Sequence, residues 1–124
     1  MNLARFAILL LACAALNAAA QVQGPREGEL LGVYQKAMGK LRRGDVEGAL
    51  SHFTPAGQAR HRPMFESLRP RLATVVDNLG TVRRVSVAER SGEIELLRET
   101  PSGPQVFPVI FLKGRDGAWK IDSM

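Results

Sequence analysis

Residues 81 to 123, TVRRVSVAERSGEIELLRETPSGPQVFPVIFLKGRDGAWKIDS, decide the fold. Four segments, 81–90, 93–100, 105–113 and 118–123, alternate apolar and polar positions with a period of two. They are separated by Ser91-Gly92, by Pro-Ser-Gly-Pro and by Gly-Arg-Asp-Gly. Short gaps rich in glycine and proline between such runs predict hairpins, hence a four-stranded antiparallel meander. In the second run Ile94 and Leu96 alternate with Glu93 and Glu95, which leaves one face wet. The third run is apolar on both faces, with Val106, Ile110 and Leu112 on one side and Phe107, Val109 and Phe111 on the other. Helices can cover only one side of a four-stranded sheet. The other side predicts a closed pocket, a cover formed by the chain's own ends, or a second copy, and Phe107, Val109 and Phe111 are the interface candidates for a homodimer. Pro108 has no backbone donor and predicts an open edge or a bulge at that point.

Upstream of residue 81 the period is helical. Leu30, Tyr34, Ala37, Met38 and Leu41 recur at three and four, with charged residues opposite, which predicts an amphipathic helix closed by Gly44. Asp45 caps a second helix whose inward positions are Val46, Ala49, Leu50 and Phe53, and Thr54-Pro55 starts a third. Pro63 and Pro70 divide the remaining helical stretch into pieces over about 55–68 and 70–79, with Gly80 closing the second. Residues 21–28, QVQGPREG, predict a short flexible lead, and 29–124 a single α+β domain with N-terminal helices packed on a curved four-stranded sheet.

The first twenty residues have one cation, Arg5, an apolar run of 11 residues from Phe6 to Leu16, and small residues at Ala18 and Ala20. That is the layout of a secretory signal cleaved after Ala20, with a run too short for the ~20 residues of a membrane-spanning helix. It predicts export to a bacterial periplasm or beyond. Leu10-Leu11-Ala12-Cys13 also resembles a lipobox, so lipid anchoring through Cys13 is the less favoured alternative. Cys13 is the only cysteine. Cleavage after Ala20 therefore leaves a domain with no disulfide, no thiol nucleophile and no cysteine metal site.

Charge is uneven along the chain. Residues 54–84 hold six arginines against Glu66 and Asp77. Of these, Arg60, Arg62, Arg69 and Arg71 form a candidate surface for an anionic partner, the alternative being a solvated face. Phe65 is the one Phe, Tyr or Trp among them, not an interleaved stacking set, and with export this argues against nucleic acid. His52 and His61 are the only histidines, nine residues apart, and fit no metal-ligand spacing; neither a metal nor a cofactor is expected. Placed near a helix C-terminus, a protonated His52 would be favoured, whereas His61 sits between Arg60 and Arg62 on what looks like a wet basic face.

The order of helices and strands, with Gly44-Asp45, Ala49 and Phe53 at an early helix and Asp116, Gly117, Trp119 and Ile121 in a final hairpin, resembles the nuclear transport factor 2-like group, relatives of the cystatin roll. The resemblance spans residues 29–124 and implies a cone-shaped α+β domain. No early hairpin interrupts the helices here, which implies a shallower pocket. The group includes enzymes such as ketosteroid isomerase and scytalone dehydratase, which use pocket-facing Asp, His or Tyr, as well as binding and dimerisation modules. Tyr34 and Asp122 are the pair that could act as acid and base, with His52 a third catalytic candidate; each also has an ordinary structural reading as rim tyrosine, wet-face aspartate or helix-end histidine. A non-catalytic binding or dimerisation module is the favoured expectation, with an isomerase or dehydratase as the alternative.

Overall fold

A computed structural model describes residues 24–124, so the predicted signal and Cys13 lie outside the described residues. Four helices come first: α1 (Pro25–Arg42), α2 (Val46–Leu50), α3 (Pro55–Ser67) and, after a 3-10 turn at Arg69–Arg71, α4 (Leu72–Asp77). Four strands come after them: β1 (Thr81–Val87), β2 (Ser91–Thr100), β3 (Gly103–Lys113) and β4 (Trp119–Ser123). They form one antiparallel sheet in the order β1-β2-β3-β4, the meander that the hairpin spacers predicted.

Local chemistry explains the helix ends. Gly44 adopts φ 79°, the left-handed geometry that lets the chain turn out of α1. The Asp45 carboxylate accepts from the Gly48 N–H at 2.9 Å, and the Thr54 hydroxyl accepts from the Gly57 N–H at 2.9 Å, so α2 and α3 each begin on a side-chain cap. Three boundaries differ from the sequence reading. The supposed lead is already helical from Pro25, because proline is well suited to the first turn. Helix α2 stops at Leu50, and Phe53 enters the core from an extended segment instead. Pro63 lies inside α3 without breaking it; Ala59, whose carbonyl loses its partner, and Pro63 are both exposed, so water can satisfy that carbonyl.

The helices cover one face of the sheet. Ile94 stands between Val85 and Val109 in register, and Gly92, Phe111 and Ile121 form the next inward row. These side chains meet Leu30, Met38 and Leu41 of α1, Leu50 of α2 and Phe65 of α3 in a single core. Short β4 is held on its outer side by a parallel bridge between Phe53 and Ile121, where the Ile121 N–H donates to the His52 carbonyl and the Thr54 N–H to the Ile121 carbonyl, both at 2.8 Å. Pairing of β3 with β4 ends at Ile110, so Pro108 is paired only to Glu95 of β2 and faces an open edge on its other side.

The interface candidates require correction. Val109 and Phe111 are 1% and 0% exposed and belong to the core, and Phe107 is half-buried on the same face. The outward row is Val106, Pro108, Ile110 and Leu112, with Val106 and Leu112 exposed at 41% and 40%. Both rows are apolar, so composition could not tell inner from outer; the register with Ile94 and Ile121 decides it.

Candidate functional site

Between the lower helices and the sheet lies an apolar cavity of about 280 Å³. Leu41 of α1, Phe65 of α3, Val76 of α4 and Phe107 of β3 line it, with Met124 at one side. Its volume falls just below the ~300–1,000 Å³ common for small-molecule pockets, which limits it to a small ligand. The one charged side chain in the lining is Arg98 of β2. Its guanidinium carbon stands 4.2 Å from the Phe107 ring centroid, and its Nε–H donates to the Leu79 carbonyl at 3.3 Å. Stacking and one backbone bond hold the fork in place and leave its remaining N–H groups for another acceptor. Sequence reasoning passed over Arg98; its signal is a cation two residues after inward Leu96, on the face otherwise reserved for apolar side chains.

Tyr34 and Asp122 do not share this cavity, since neither contributes to its lining. Burial pushes the Tyr34 phenol above its ordinary pKa, opposed in part by the positive charge of Arg98. Asp122 stands where the β3–β4 register shifts. Its carboxylate accepts from the Thr54 hydroxyl at 2.8 Å and lies 3.9 Å from the Arg60 guanidinium, which also donates to the Asp122 carbonyl at 3.0 Å. That carboxylate fastens α3 to β4. His52 lies apart from the cavity, in a groove beside α1, and burial first, then Lys40, Lys120 and Lys36, hold its imidazole below the ordinary pKa. Protonation is therefore opposed there, contrary to the helix-end expectation.

His61 is the second correction. It is 2% exposed and packs between Phe53 and Phe65, with ring centroids 5.2 and 5.6 Å away. Nδ1 is 2.8 Å from the Gly57 carbonyl, and Nε2 is 3.3 Å from the Met124 N–H. The neutral tautomer with its proton on Nδ1 satisfies both, donating to one and accepting from the other. The arginines around it point elsewhere. Arg62 forms a two-bond pair with Glu47 at 3.0 and 3.2 Å, and Arg69 binds Glu66 at 2.8 Å and the Gly44 carbonyl at 2.8 Å. Together with Arg60 on Asp122, three of the four arginines named for an anionic partner serve intramolecular pairs.

No family model matches the chain, and no curated protein does. Among solved structures, a Campylobacter jejuni protein provisionally named an NTF2-like transpeptidase matches 73% of this chain and 95% of its own length, at 14% identity and a TM-score of 0.47. The chain is similar to an NTF2-like protein. That likeness says nothing of activity.

Proposed function

We propose that the domain is a non-catalytic binding module that takes a small apolar ligand with an anionic end into the cavity between helices and sheet. The observation that carries this reading is the apolar lining interrupted by the single cation Arg98, held over Phe107. An apolar body would displace water from the cavity, and a carboxylate could accept from the guanidinium fork. The enzyme alternative loses its support, because Asp122 is engaged by Thr54 and Arg60 and does not reach the cavity that an acid–base pair would need. Calorimetric titration with octanoate tests the proposal: one saturable site per chain is expected, weakened roughly tenfold by Arg98→Gln. Absence of saturable binding would refute it.

A second copy is the partner we propose for the outward row Val106, Pro108, Ile110 and Leu112. A stripe on one strand meets itself under a two-fold axis along that strand, so a single apolar row can supply both halves of an interface. The leader supports export as the setting in which the module works.

A further inference from the structure

On the other side of α1 an open groove of about 520 Å³ runs between the first half of that helix and the turn into β4. It shares no lining residue with the apolar cavity. Its charged groups are Lys36 and Glu29 of α1, Lys120 of β4, and His52 from the segment that bridges to β4. Lys40 adds a further positive charge close enough to act on His52. Glu29 is the one carboxylate in the lining, and it already accepts from the Trp119 indole N–H at 3.1 Å. Lys120 donates to the Ser51 carbonyl at 2.8 Å and keeps two further N–H groups. Among the described residues the ion pairs all use arginine, at positions 42, 60, 62 and 69, and none uses Lys36, Lys40 or Lys120. Lys36 and Lys120, with Lys40 beside them, thus outweigh the one opposing charge, that of Glu29, on this concave surface.

The helical wall of the groove includes Gly28 and Gly32, one turn apart inside α1. A Cβ added at either would meet nothing within 4 Å. Each glycine costs roughly 0.5–1 kcal/mol of helix stability relative to alanine. No neighbour demands them, so packing does not explain them; their effect is to keep that wall free of side chains.

We propose that this groove binds the oxyanion end of a small soluble ligand, a carboxylate or a phosphate, between Lys36 and Lys120, with His52 as a third donor when protonated. An anion seated there offsets the mutual repulsion of the ammonium groups and favours the imidazolium, so binding takes up a proton. The groups facing His52 are Lys36, Lys40 and Glu29 from α1 and Lys120 from β4, and only Glu29 opposes the positive sign.

The test is an amide and imidazole NMR titration of the protein with inorganic phosphate and, separately, succinate, at pH 6.0 and 7.5 and constant chloride. Saturable shifts at Gly117, Ala118, the Trp119 indole and His52 are expected; succinate, which stays mostly dianionic over this range while phosphate loses charge, should bind several-fold more tightly at the lower pH, and the anion that saturates first identifies the oxyanion. A paired Lys36→Gln, Lys120→Gln variant should bind roughly tenfold or more weakly. Gly32→Leu should fold, since its wall is open, and should lose binding by filling the groove. Lack of saturation with both anions, or unchanged binding in the paired variant or in a folded Gly32→Leu protein, overturns the proposal. Shifts centred on Arg98 would do so too, since they would assign the anion to the apolar cavity.

Discussion

Asp45 shows how much one side chain can settle. Its carboxylate supplies the acceptor that the free N–H of Gly48 needs, in the short interval between the left-handed Gly44 and the start of α2. Replacing Asp45 by Ala should cost about 0.5–2 kcal/mol in urea unfolding and leave octanoate binding intact. This residue was legible in the sequence because caps act within a few positions. His61 was not: its immediate neighbours are arginines, and chain adjacency suggested a wet surface. The usable signal was helical spacing, since His61 is four residues from buried Gly57 on one side and buried Phe65 on the other. His61→Ala removes a packed ring and two hydrogen bonds, and about 3 kcal/mol of destabilisation is expected from the same unfolding experiment. His52 gives a pH dependence of definite sign. Its folded pKa lies below the unfolded value, so the unfolded chain binds the proton more readily. The stability contribution is present above about pH 6.5 and declines as pH falls through that value. Unfolding midpoints at pH 7.5 and 5.5 should differ more for the wild type than for His52→Gln; equal differences would count against it.

At the level of elements, the join between α3 and β4 can be probed directly at Gly57. A Cβ built there would stand 2.8 Å from the Ile121 carbonyl oxygen and 2.9 Å from that of Asp122, both backbone atoms tied into the sheet. They cannot swing aside as a side chain would. Gly57→Ala should therefore destabilise by about 1–3 kcal/mol, measured by thermal or urea unfolding. Gly48→Ala is the contrast, because there the obstruction is the Asp45 carboxylate, the end of a side chain that can move at the expense of its cap. The strands were legible as elements, and so was the break in β3 pairing at Pro108, since a missing donor is a local property. The bridge from Phe53 to Ile121 was not, because it joins residues far apart in sequence and the spacing around Phe53 also suited a helix.

For the whole molecule, the outward apolar row leads to a test of assembly. Val106→Asp and Leu112→Asp together place charge on exposed positions and should leave the fold intact. Light scattering should report a dimer for the wild type and a monomer for this variant; identical masses would remove the second copy from the account. The α+β architecture was readable from the change of period at Gly80, whereas the assignment of faces on β3 depended on register, which no single strand carries. Arg98 escaped notice for a related reason: its place beside the cavity arises only when β2, β3 and α4 come together. The bridge at Phe53 and Ile121 also bears on the timing of synthesis. Residues 52–54 find their backbone partner in a strand made roughly 70 residues later by the ribosome, so α1, α2 and α3 can pack on one another while the nascent chain is emerging but cannot be joined to β4 until that strand is made. A domain whose closing seam waits for β4 stays open at that point during translation, which suits one whose leader is proposed to take it through a membrane before it folds.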